Sequence, residues 1–416
     1  MFKSLFKGGL LCLLALALCS CNDSDSTTNT SSSDVPVTLS DTVTARTFAL
    51  SSDASQVIFV FDAASQSDAL DAQGITDSST ISAVEVRGSF NGWSSDGALP
   101  LTASQTDSGV WYLATDADAL DIPGNSGHPE YKFVVTVDDE THWLDLSSTV
   151  PDGYHFLGNH ILVGADDDLD TIIANEAQAN DIKTLADFDL TTSEGQQTLA
   201  NFRRAADGLQ LFRSYHPYKQ SRPALETEAP RLAYVNSLME ANGIGSVITL
   251  SGDETASLDS SLGESIGDYM QAIIDKGDNL TLELGYNLVY YKSDSSEFGL
   301  AIQTIVSFID DDAHPGPYLV HCRLGTDRTG VITAMLSGLA GTDWQTIAAD
   351  YQASNNMGIG EFRDYGLLEY SLRNMLGVDP ADSDLDLQAA LTEYFVSNGY
   401  LTEAQISTLQ QKLKAG

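Results

Sequence analysis

The chain has 416 residues, of which 42% are hydrophobic, and this length favours two folded domains joined by linkers over a single core. Acidic residues outnumber basic ones by 59 to 20, giving a net charge of −39. That charge argues against nucleic acid as a partner, because a phosphate backbone attracts the opposite sign.

Residues 1–20 have the pattern of an export signal. Lys3 and Lys7 precede the apolar run GLLCLLALALCS, which is too short to span a bilayer comfortably. The run ends in LCSC, which resembles a bacterial lipobox, and the resemblance implies that Cys21 becomes the lipidated N-terminus. Ser- and Thr-rich residues predict a disordered tether over 21–45. These features predict a lipid-anchored protein of the bacterial cell envelope, in the periplasm or on the outer-membrane surface. The alternative is a soluble secreted protein.

Residues 46–165 predict an all-β domain. Short β-branched and aromatic segments, among them QVIFVFDA and YKFVVTV, alternate with Gly, Asn, Asp and Ser. Since no long helical period lies between them, we expect a small antiparallel sandwich of the immunoglobulin-like type. The acidic stretch that follows, over 166–199, is expected to be a linker.

The all-β segment resembles a family-48 carbohydrate-binding module, the glycogen-binding type found in the β subunit of the AMP-activated protein kinase. The resemblance rests on GSFNGW, YKFVV and a late Gly-Asn pair, within residues 84–163. It implies that flat indole faces and polar side chains bind α-glucan, and the four implied contacts are Trp93, Lys132, Trp143 and Asn159. The alternative for each tryptophan is packing in the core of the sandwich.

Residues 200–378 have a different pattern, in which short apolar strands such as SVITL and PYLVHC alternate with helical segments. This alternation predicts an α/β domain with a mostly parallel central sheet flanked by helices. The domain contains 12 of the 20 Lys and Arg residues, which favours an anionic substrate. A helical tail of unassigned function is predicted over 379–416.

Cys322 lies between a buried strand and a helix, in the segment LVHCRLGTDRTG. The other three cysteines belong to the signal or the lipidation site, so Cys322 has no disulfide partner. A loop that opens onto a helix N-terminus directs backbone N–H groups and the helix dipole at one point, which favours a phosphate and a thiolate. Arg328 can hold two phosphate oxygens with its planar guanidinium. An inert buried thiol is the alternative.

His-Cys-x2-Gly-x2-Arg-Thr-Gly resembles the phosphate-binding loop of the cysteine-dependent protein tyrosine phosphatase superfamily, including its dual-specificity branch. The resemblance covers about residues 200–378 and implies that Cys322 is the nucleophile and that Arg328 binds the phosphoryl group. By the same resemblance, His321 tunes the thiolate and Thr329 assists hydrolysis of the phosphocysteine. The implied N–H cradle comprises Arg323, Leu324, Gly325, Thr326 and Asp327. Thr326 replaces a lysine found in many bacterial and lipid-directed relatives, which weakens any inference of phosphoinositide specificity.

This chemistry needs a carboxylic acid that protonates the departing oxygen. Compact members of the superfamily carry an aspartate on a loop before the cysteine, and Asp294, after the strand-like LVYYK, is the first choice. Its alternative role is the N-cap of the next helix. Asp327 is the competitor, either as the acid or as a brace of the turn, and Glu297 is a more distant candidate.

These features predict a phosphatase that hydrolyses phosphomonoesters, with phosphotyrosine in proteins as the first substrate class. Phosphorylated glucan and inositol phosphates are the alternatives, and a catalytically silent glycan-binding lipoprotein is an answer of another class. No metal or cofactor is expected, because the seven histidines show no ligand spacing. In LFRSYHP, Arg213 and His216 either line the site entrance or pack in the core.

Overall fold

The computed structural model describes residues 36–414, apart from the side chain of Ala256, and the chain divides into two compact units between Glu176 and Ala177. The first unit is rich in strands and the second in helices, which agrees with the predicted two-domain organisation. The export signal, Cys21 and most of the predicted tether lie outside the described residues. Among the helices of residues 36–414, none has the length and apolarity needed to cross a membrane.

The first unit contains two antiparallel sheets, with strand orders β1-β2-β6-β5 and β4-β3-β7-β10-β9, and β8 also pairs with β7. Its strands are β1 (Phe48–Leu50), β2 (Gln56–Asp62), β3 (Ile81–Gly88), β4 (Leu99–Pro100), β5 (Thr102–Ala103), β6 (Val110–Asp116), β7 (Glu130–Val137), β8 (Glu140–Trp143), β9 (His155–Phe156) and β10 (Asn159–Ile161). Its helices are α1 (Asp41–Arg46) and α2 (Ser67–Ala72), with short 3-10 helices at Ser78–Thr80, Ser89–Asn91 and Ala117–Leu120.

Aromatic side chains join the two sheets face to face. The rings of Phe59 and Tyr131 lie 5.0 Å apart, and those of Phe61 and Phe133 lie 5.2 Å apart, with all four side chains buried. Because side chains alternate along a strand, the neighbouring residue Lys132 on β7 points to the opposite face of its sheet. The core therefore lies between the sheets, and the outer face of β7 is free to carry polar side chains.

The second unit is built on one sheet, with strand order β11-β12-β15-β13-β14, in which β12, β15, β13 and β14 are parallel and β11 is antiparallel. The strands are β11 (Arg203–Arg204), β12 (Leu211–Ser214), β13 (Ser246–Thr249), β14 (Asn279–Thr281) and β15 (Tyr318–His321).

Within the described part of the chain, eleven helices belong to or enter the second unit, together with 3-10 helices at Leu185–Asp187, Thr255–Ser257, Ser260–Leu262 and Ser354–Met357. They are α3 (Leu169–Asn180), α4 (Ser193–Ala200), α5 (Glu228–Ala241), α6 (Asp268–Lys276), α7 (Tyr286–Tyr291), α8 (Ser296–Asp310), α9 (Asp327–Leu339), α10 (Trp344–Ala353), α11 (Tyr365–Leu376), α12 (Leu387–Ser397) and α13 (Glu403–Lys414). The α9 helix is buried along its whole length from Thr329 onward, and it follows the central strand β15.

Several predicted boundaries differ from the structure. Residues 41–45 of the predicted tether lie in α1, where Val43 is buried. The predicted linker over 166–199 contains α3 and most of α4, and the tail over 379–416 contains α12 and α13. Leu391 of the tail packs on α9 so closely that a Cβ atom at Gly338 would lie 2.5 Å from it. The tail is therefore part of the second unit's core.

Candidate active site

Cys322 lies at the carboxyl end of β15, the central strand of the second unit, and its side chain is 2% exposed. The helix α9 begins at Asp327, so residues 323–326 form a short loop between the strand and the helix. Strands β12 and β13 flank β15 in parallel, so the loops after all three strands meet at one edge of the sheet. The fold thus places the cysteine loop where ligands bind in open parallel sheets.

The carbonyl oxygens of residues 323–326 are all held by donors from outside the loop. The four bonds are His216 N–H to Arg323 O (3.1 Å), Asn201 Nδ2 to Leu324 O (3.0 Å), and Arg213 Nη2 to Gly325 O (2.6 Å) and Thr326 O (3.3 Å).

The N–H groups of residues 323–328, in contrast, have no hydrogen-bond acceptor within the described range 36–414. In a planar trans peptide, the C=O of one residue and the N–H of the next point in opposite directions. Because the carbonyls are bonded to the scaffold, the following N–H groups face the other side, beside the positive end of α9. The loop is therefore built to bind an anion next to Cys322.

Gly325 is required by the close approach of the loop to β12. Its φ is +73°, in the left-handed region that favours glycine. A Cβ atom there would collide with the carbonyl oxygen of Ser214 and lie 2.9 Å from Nδ2 of Asn201. The same atom of Asn201 holds one of the loop carbonyls, so a larger residue would displace part of the brace.

Arg328 and Thr329 lie in the first turn of α9. Nη1 of Arg328 donates to the carbonyl oxygens of Leu250 and Leu284, each at 3.3 Å, which directs the half-buried guanidinium across the ends of β13 and β14. Oγ1 of Thr329 is buried and has no hydrogen-bond partner in the described part of the chain. Such a hydroxyl has a donor available for a thiolate or a bound oxyanion.

His321 is neutral at physiological pH, because burial lowers its pKa to about 4. Its Nδ1 lies 3.1 Å from the carbonyl oxygen of Cys322, and its Nε2 lies 2.9 Å from Oγ1 of Thr249. Since a carbonyl only accepts, Nδ1 carries the proton and Nε2 accepts from the threonine hydroxyl. His321 therefore orients the cysteine backbone without adding a positive charge.

Asp327 is fixed within the loop by a tyrosine and an arginine. Its Oδ1 accepts from the hydroxyl of Tyr290 at 3.0 Å and from Nε of Arg363 at 2.7 Å, and Oδ2 lies 3.4 Å from Nη2 of Arg363. The hydroxyls of Tyr290 and Tyr351 are 2.5 Å apart, which extends the network into α10. Asp327 thus braces the turn and also places a carboxylate beside the phosphate loop.

Asp294 has no hydrogen bond to residues 321–329 within the described range 36–414. It is exposed, its Oδ1 accepts from Nδ2 of Asn374 at 3.2 Å, and its carbonyl accepts from Tyr394 at 3.3 Å. Asn374 lies nine residues beyond Tyr365, the start of α11, which is about 14 Å along the helix at 1.5 Å per residue. The Arg363 partner of Asp327 lies just before that start. The N-cap of α8 is Ser295, so Asp294 does not have its alternative role either.

The segment LVYYK lies largely in α7 instead of a strand, and this accounts for the position of Asp294. Its residues Leu288, Val289 and Tyr290 are buried, and a short apolar run of this kind is compatible with either a strand or a helix. Glu297, the more distant candidate, is exposed in the first turn of α8.

Sequence reasoning missed or left open several side chains around the loop, which are Arg213, His216, Lys219, Glu254 and Arg363. Arg213 is fully buried, so of its two predicted roles it packs in the core and does not line the site entrance. Its Nη2 also donates a hydrogen bond to the loop carbonyl of Gly325. Oε1 of Glu254 lies 3.2 Å from Nε of Arg323, and its Oε2 lies 3.5 Å from both His216 Nε2 and Lys219 Nζ. No local sequence signal links these residues to the loop, because they lie far from residues 322–328 in the sequence.

In the first unit, three of the four predicted sugar contacts, Lys132, Trp143 and Asn159, belong to one sheet, and Trp93 follows the 3-10 helix Ser89–Asn91. Trp143 pairs with Val134 on β7, which lies two residues from Lys132 and therefore on the same face of the sheet. The pairing of β10 with β7 places Asn159 opposite Lys132. The Trp93 and Trp143 rings lie 6.4 Å apart. Trp143 is 37% exposed and Trp93 is half-buried, so neither has the full burial of a core residue. Nδ2 of Asn159 donates to Glu130 at 2.9 Å.

We expect Gly325→Ala to weaken binding of inorganic phosphate at least tenfold, because the methyl group forces the loop away from Ser214 and Asn201. The control is Gly377→Ala at the end of α11, which has a similar φ of +70° but no atom within 4 Å of the added Cβ. Calorimetric titration with phosphate measures both variants. Equal affinities in the two would show that the close contact at Gly325 does not shape the site.

In residues 36–414, no group of three or more His, Cys, Asp or Glu side chains is arranged to hold a metal ion. No curated protein sequence matches the chain.

Solved structures that are similar to the chain include two of one yeast phosphatase. One is the core catalytic domain of the PP-IP phosphatase SIW14 from S. cerevisiae in complex with citrate, at 16% identity over 37% of this chain and 76% of that chain, with a TM-score of 0.23. The other is the Siw14 catalytic core, at 12% identity over 49% of this chain and 94% of that chain, with a TM-score of 0.25.

The sequence of residues 271–415 matches the family model of the tyrosine phosphatase family. The matched span includes the strand, the loop and the helix that carry Cys322 and Arg328. The second unit therefore contains a domain of the cysteine-dependent tyrosine phosphatase superfamily, and the protein is a phosphohydrolase of that superfamily.

Proposed function

We propose that the protein is an extracytoplasmic, lipid-anchored phosphatase that hydrolyses phosphomonoesters through a phosphocysteine, with phosphotyrosine in proteins as its first substrate class. The observation that carries the catalytic proposal is the loop after β15. The carbonyls of residues 323–326 are bonded outward, and the N–H groups of residues 323–328 have no acceptor among the described residues 36–414. The lipid anchor and the compartment rest on the sequence of residues 1–21.

In the first step, the Cys322 thiolate attacks phosphorus, an S–P bond forms, and the P–O bond to the leaving group breaks. The leaving oxygen takes a proton from a carboxylic acid, while the equatorial phosphoryl oxygens lie against the loop N–H groups and Arg328. In the second step, water attacks phosphorus and gives a proton to the carboxylate, and phosphate and thiolate are released. The free hydroxyl of Thr329 stabilises the departing thiolate.

We assign the proton donor to Asp327 in place of Asp294. Asp327 lies next to Arg328 in the first turn of α9, whereas Asp294 is bonded to α11 and α12, away from the loop. The hydroxyl of Tyr290 donates to Asp327 and fixes the carboxylate at the loop. The proposal thus replaces the aspartate chosen from the sequence with its competitor.

The proposal predicts that Cys322→Ser abolishes phosphate release from a phosphotyrosine peptide by the full-length protein in detergent, because an alcohol is a far weaker nucleophile than a thiolate. Release from phosphorylated amylopectin and from inositol hexakisphosphate is measured in parallel, and the three rates rank the substrate classes. Release by the serine variant at the wild-type rate would refute the thiolate mechanism. Absence of release from all three substrates by the wild-type protein, between pH 5 and 8, would favour the silent-lipoprotein alternative.

Asp327→Asn is expected to lower kcat by about 10² or more on a phosphoserine peptide, because an alkoxide leaving group requires protonation. The loss is expected to be much smaller on p-nitrophenyl phosphate, whose leaving group is stable without a proton. Asp294→Asn is the matched control and is expected to retain wild-type kcat on both substrates. The assignment is rejected if Asp294→Asn shows the larger, leaving-group-dependent loss.

We also propose that the first unit is an immunoglobulin-like carbohydrate-binding sandwich, and that phosphorylated glucan is the second candidate substrate. The supporting observation is the outer sheet face, where the Trp93 and Trp143 rings lie 6.4 Å apart near Lys132 and Asn159. Arg87, opposite Lys132, lies with its guanidinium 5.2 Å from the Trp143 ring centre and holds that ring over the sheet. An aromatic pair supported in this way suits stacking against sugar rings.

Trp143→Ala is expected to weaken binding to glycogen roughly tenfold, because it removes one of the two stacking surfaces. Activity on a phosphotyrosine peptide is expected to stay unchanged, since Trp143 belongs to the other unit. His142→Ala, the neighbour on the opposite side of β8, serves as the control. Affinity electrophoresis in glycogen measures both variants, and equal mobility of the two in glycogen would refute sugar binding at this face.

A further inference from the structure

Arg213 contacts the phosphate loop from beneath. The side chain is 0% exposed, and its Nη2 donates to the carbonyl oxygens of Gly325 at 2.6 Å and Thr326 at 3.3 Å. These two carbonyls lie directly before the N–H groups of Thr326 and Asp327, in the turn that opens onto α9. A planar guanidinium can hold two carbonyls at once, which an ammonium cannot do with the same fixed geometry.

The guanidinium of Arg213 is itself held by α10 and the turn that follows it. Nη1 donates to Oδ2 of Asp350 at 2.6 Å, and Nη2 lies 3.2 Å from Oγ of Ser354. Arg203 binds the same two residues, with Nε 2.7 Å from Oδ1 of Asp350 and Nη2 3.0 Å from Oγ of Ser354. One aspartate and one serine therefore fix two arginines under the loop.

The cluster of Arg203, Arg213 and Asp350 carries a net positive charge. Burial lowers the pKa of Arg203 only to about 10, so it stays cationic at neutral pH. Within residues 36–414, Asp350 is the carboxylate that forms ion pairs with these two arginines. A buried charge without a counterion is costly, and an anion held by the loop above it offsets that cost.

The last glycine of the loop motif makes room for this cluster. A Cβ atom at Gly330 would lie 2.7 Å from the ring of Tyr351 and 3.3 Å from Nη2 of Arg213. The space that glycine leaves on α9 is thus filled by the arginine and the tyrosine. Gly330 of the motif and the buried Arg213 are therefore packed against each other, and a larger residue at position 330 would displace the arginine.

We propose that Arg213 is a positioning residue of the phosphate loop, and that the net charge of the Arg203, Arg213 and Asp350 cluster strengthens the binding of the phosphoryl group. This inference rests on the proposed function of the loop. Arg213 touches neither the nucleophile nor the proton donor directly. It acts by turning the carbonyls of residues 325 and 326 away from the anion.

The test compares Arg213→Lys, which keeps the charge but loses the planar fork, with Arg231→Lys. Arg231 is also fully buried, pairs with Glu228 and donates to the carbonyl of Leu199, but has no hydrogen bond to residues 321–329. Both variants of the full-length protein are expected to lower the melting temperature. Arg213→Lys alone is expected to reduce kcat/KM for p-nitrophenyl phosphate at least tenfold and to weaken calorimetric binding of inorganic phosphate by a similar factor.

Arg203→Gln removes one cation and leaves both contacts of Arg213 with the loop. It also removes the hydrogen bonds from Nη1 of Arg203 to Asn201, so it tests the contribution of Arg203 as a whole. We expect a rise in the dissociation constant for inorganic phosphate of about threefold to tenfold, with a smaller change in kcat. If Arg213→Lys does not fold, Ser354→Ala replaces it, since the serine hydroxyl holds both arginines. We expect about a threefold loss of phosphate affinity in that variant.

The inference is overturned if the Arg213 variant, or Ser354→Ala in its place, binds phosphate as tightly as Arg231→Lys. Wild-type protein that binds phosphate but does not hydrolyse p-nitrophenyl phosphate would refute the proposed catalysis, and the affinity comparison would still decide the positioning role. Wild-type protein that neither binds nor hydrolyses would overturn both proposals.

Discussion

The active-site loop depends on one constraint of the peptide group, that a C=O and the next N–H point in opposite directions. A loop can present several N–H groups to an anion only if its carbonyls are bonded elsewhere. Here the donors to the loop carbonyls come from three places in the second unit. They are Asn201 at the end of α4, Arg213 in strand β12 and the backbone N–H of His216 shortly after that strand. The parallel pairing of β12 with β15 brings them together, with Ser214 opposite His321. The sheet order is therefore a requirement of the chemistry as well as of the fold.

This arrangement explains why polar groups are buried so densely below the loop. A buried arginine is destabilising unless its donors are satisfied. Nη1 and Nη2 of Arg213 are bonded to two loop carbonyls, Asp350 and Ser354, while its Nε has no partner in the described residues. Removing any one member leaves the others unsatisfied in a low-dielectric region. The network therefore favours a single loop conformation over several, and a preorganised loop loses less conformational freedom when it binds an anion.

The site was predictable from the sequence where the information is local. The strand, loop and helix around Cys322 lie within the 22 residues 318–339, and their residue types predict the anion site and the nucleophile. The position of Asp294 was not predictable, because the apolar run LVYY that precedes it fits either a strand or a helix. In the structure this run is helical, and its Tyr290 forms hydrogen bonds with Tyr351 and Asp327. Composition also concealed the extent of the second unit, since acidic residues are interspersed among the apolar residues that the tail buries, such as Leu391 and Phe395. The braces at Asn201 and Arg213 are separated from the loop by more than a hundred residues, so no local pattern marks them.

The electrostatics of the loop follow from which of its groups stay uncharged. Burial lowers the pKa of His321 to about 4 and that of His216 well below its usual value, with neighbouring cations acting in the same direction. Neither imidazole can supply a positive charge at neutral pH, although both lie close to the loop, with ring centres 4.8 Å apart. Stabilisation of a thiolate therefore comes from fixed dipoles and from arginines, which do not titrate between pH 5 and 8. The histidines therefore contribute geometry to the loop, and its positive charge comes from arginines.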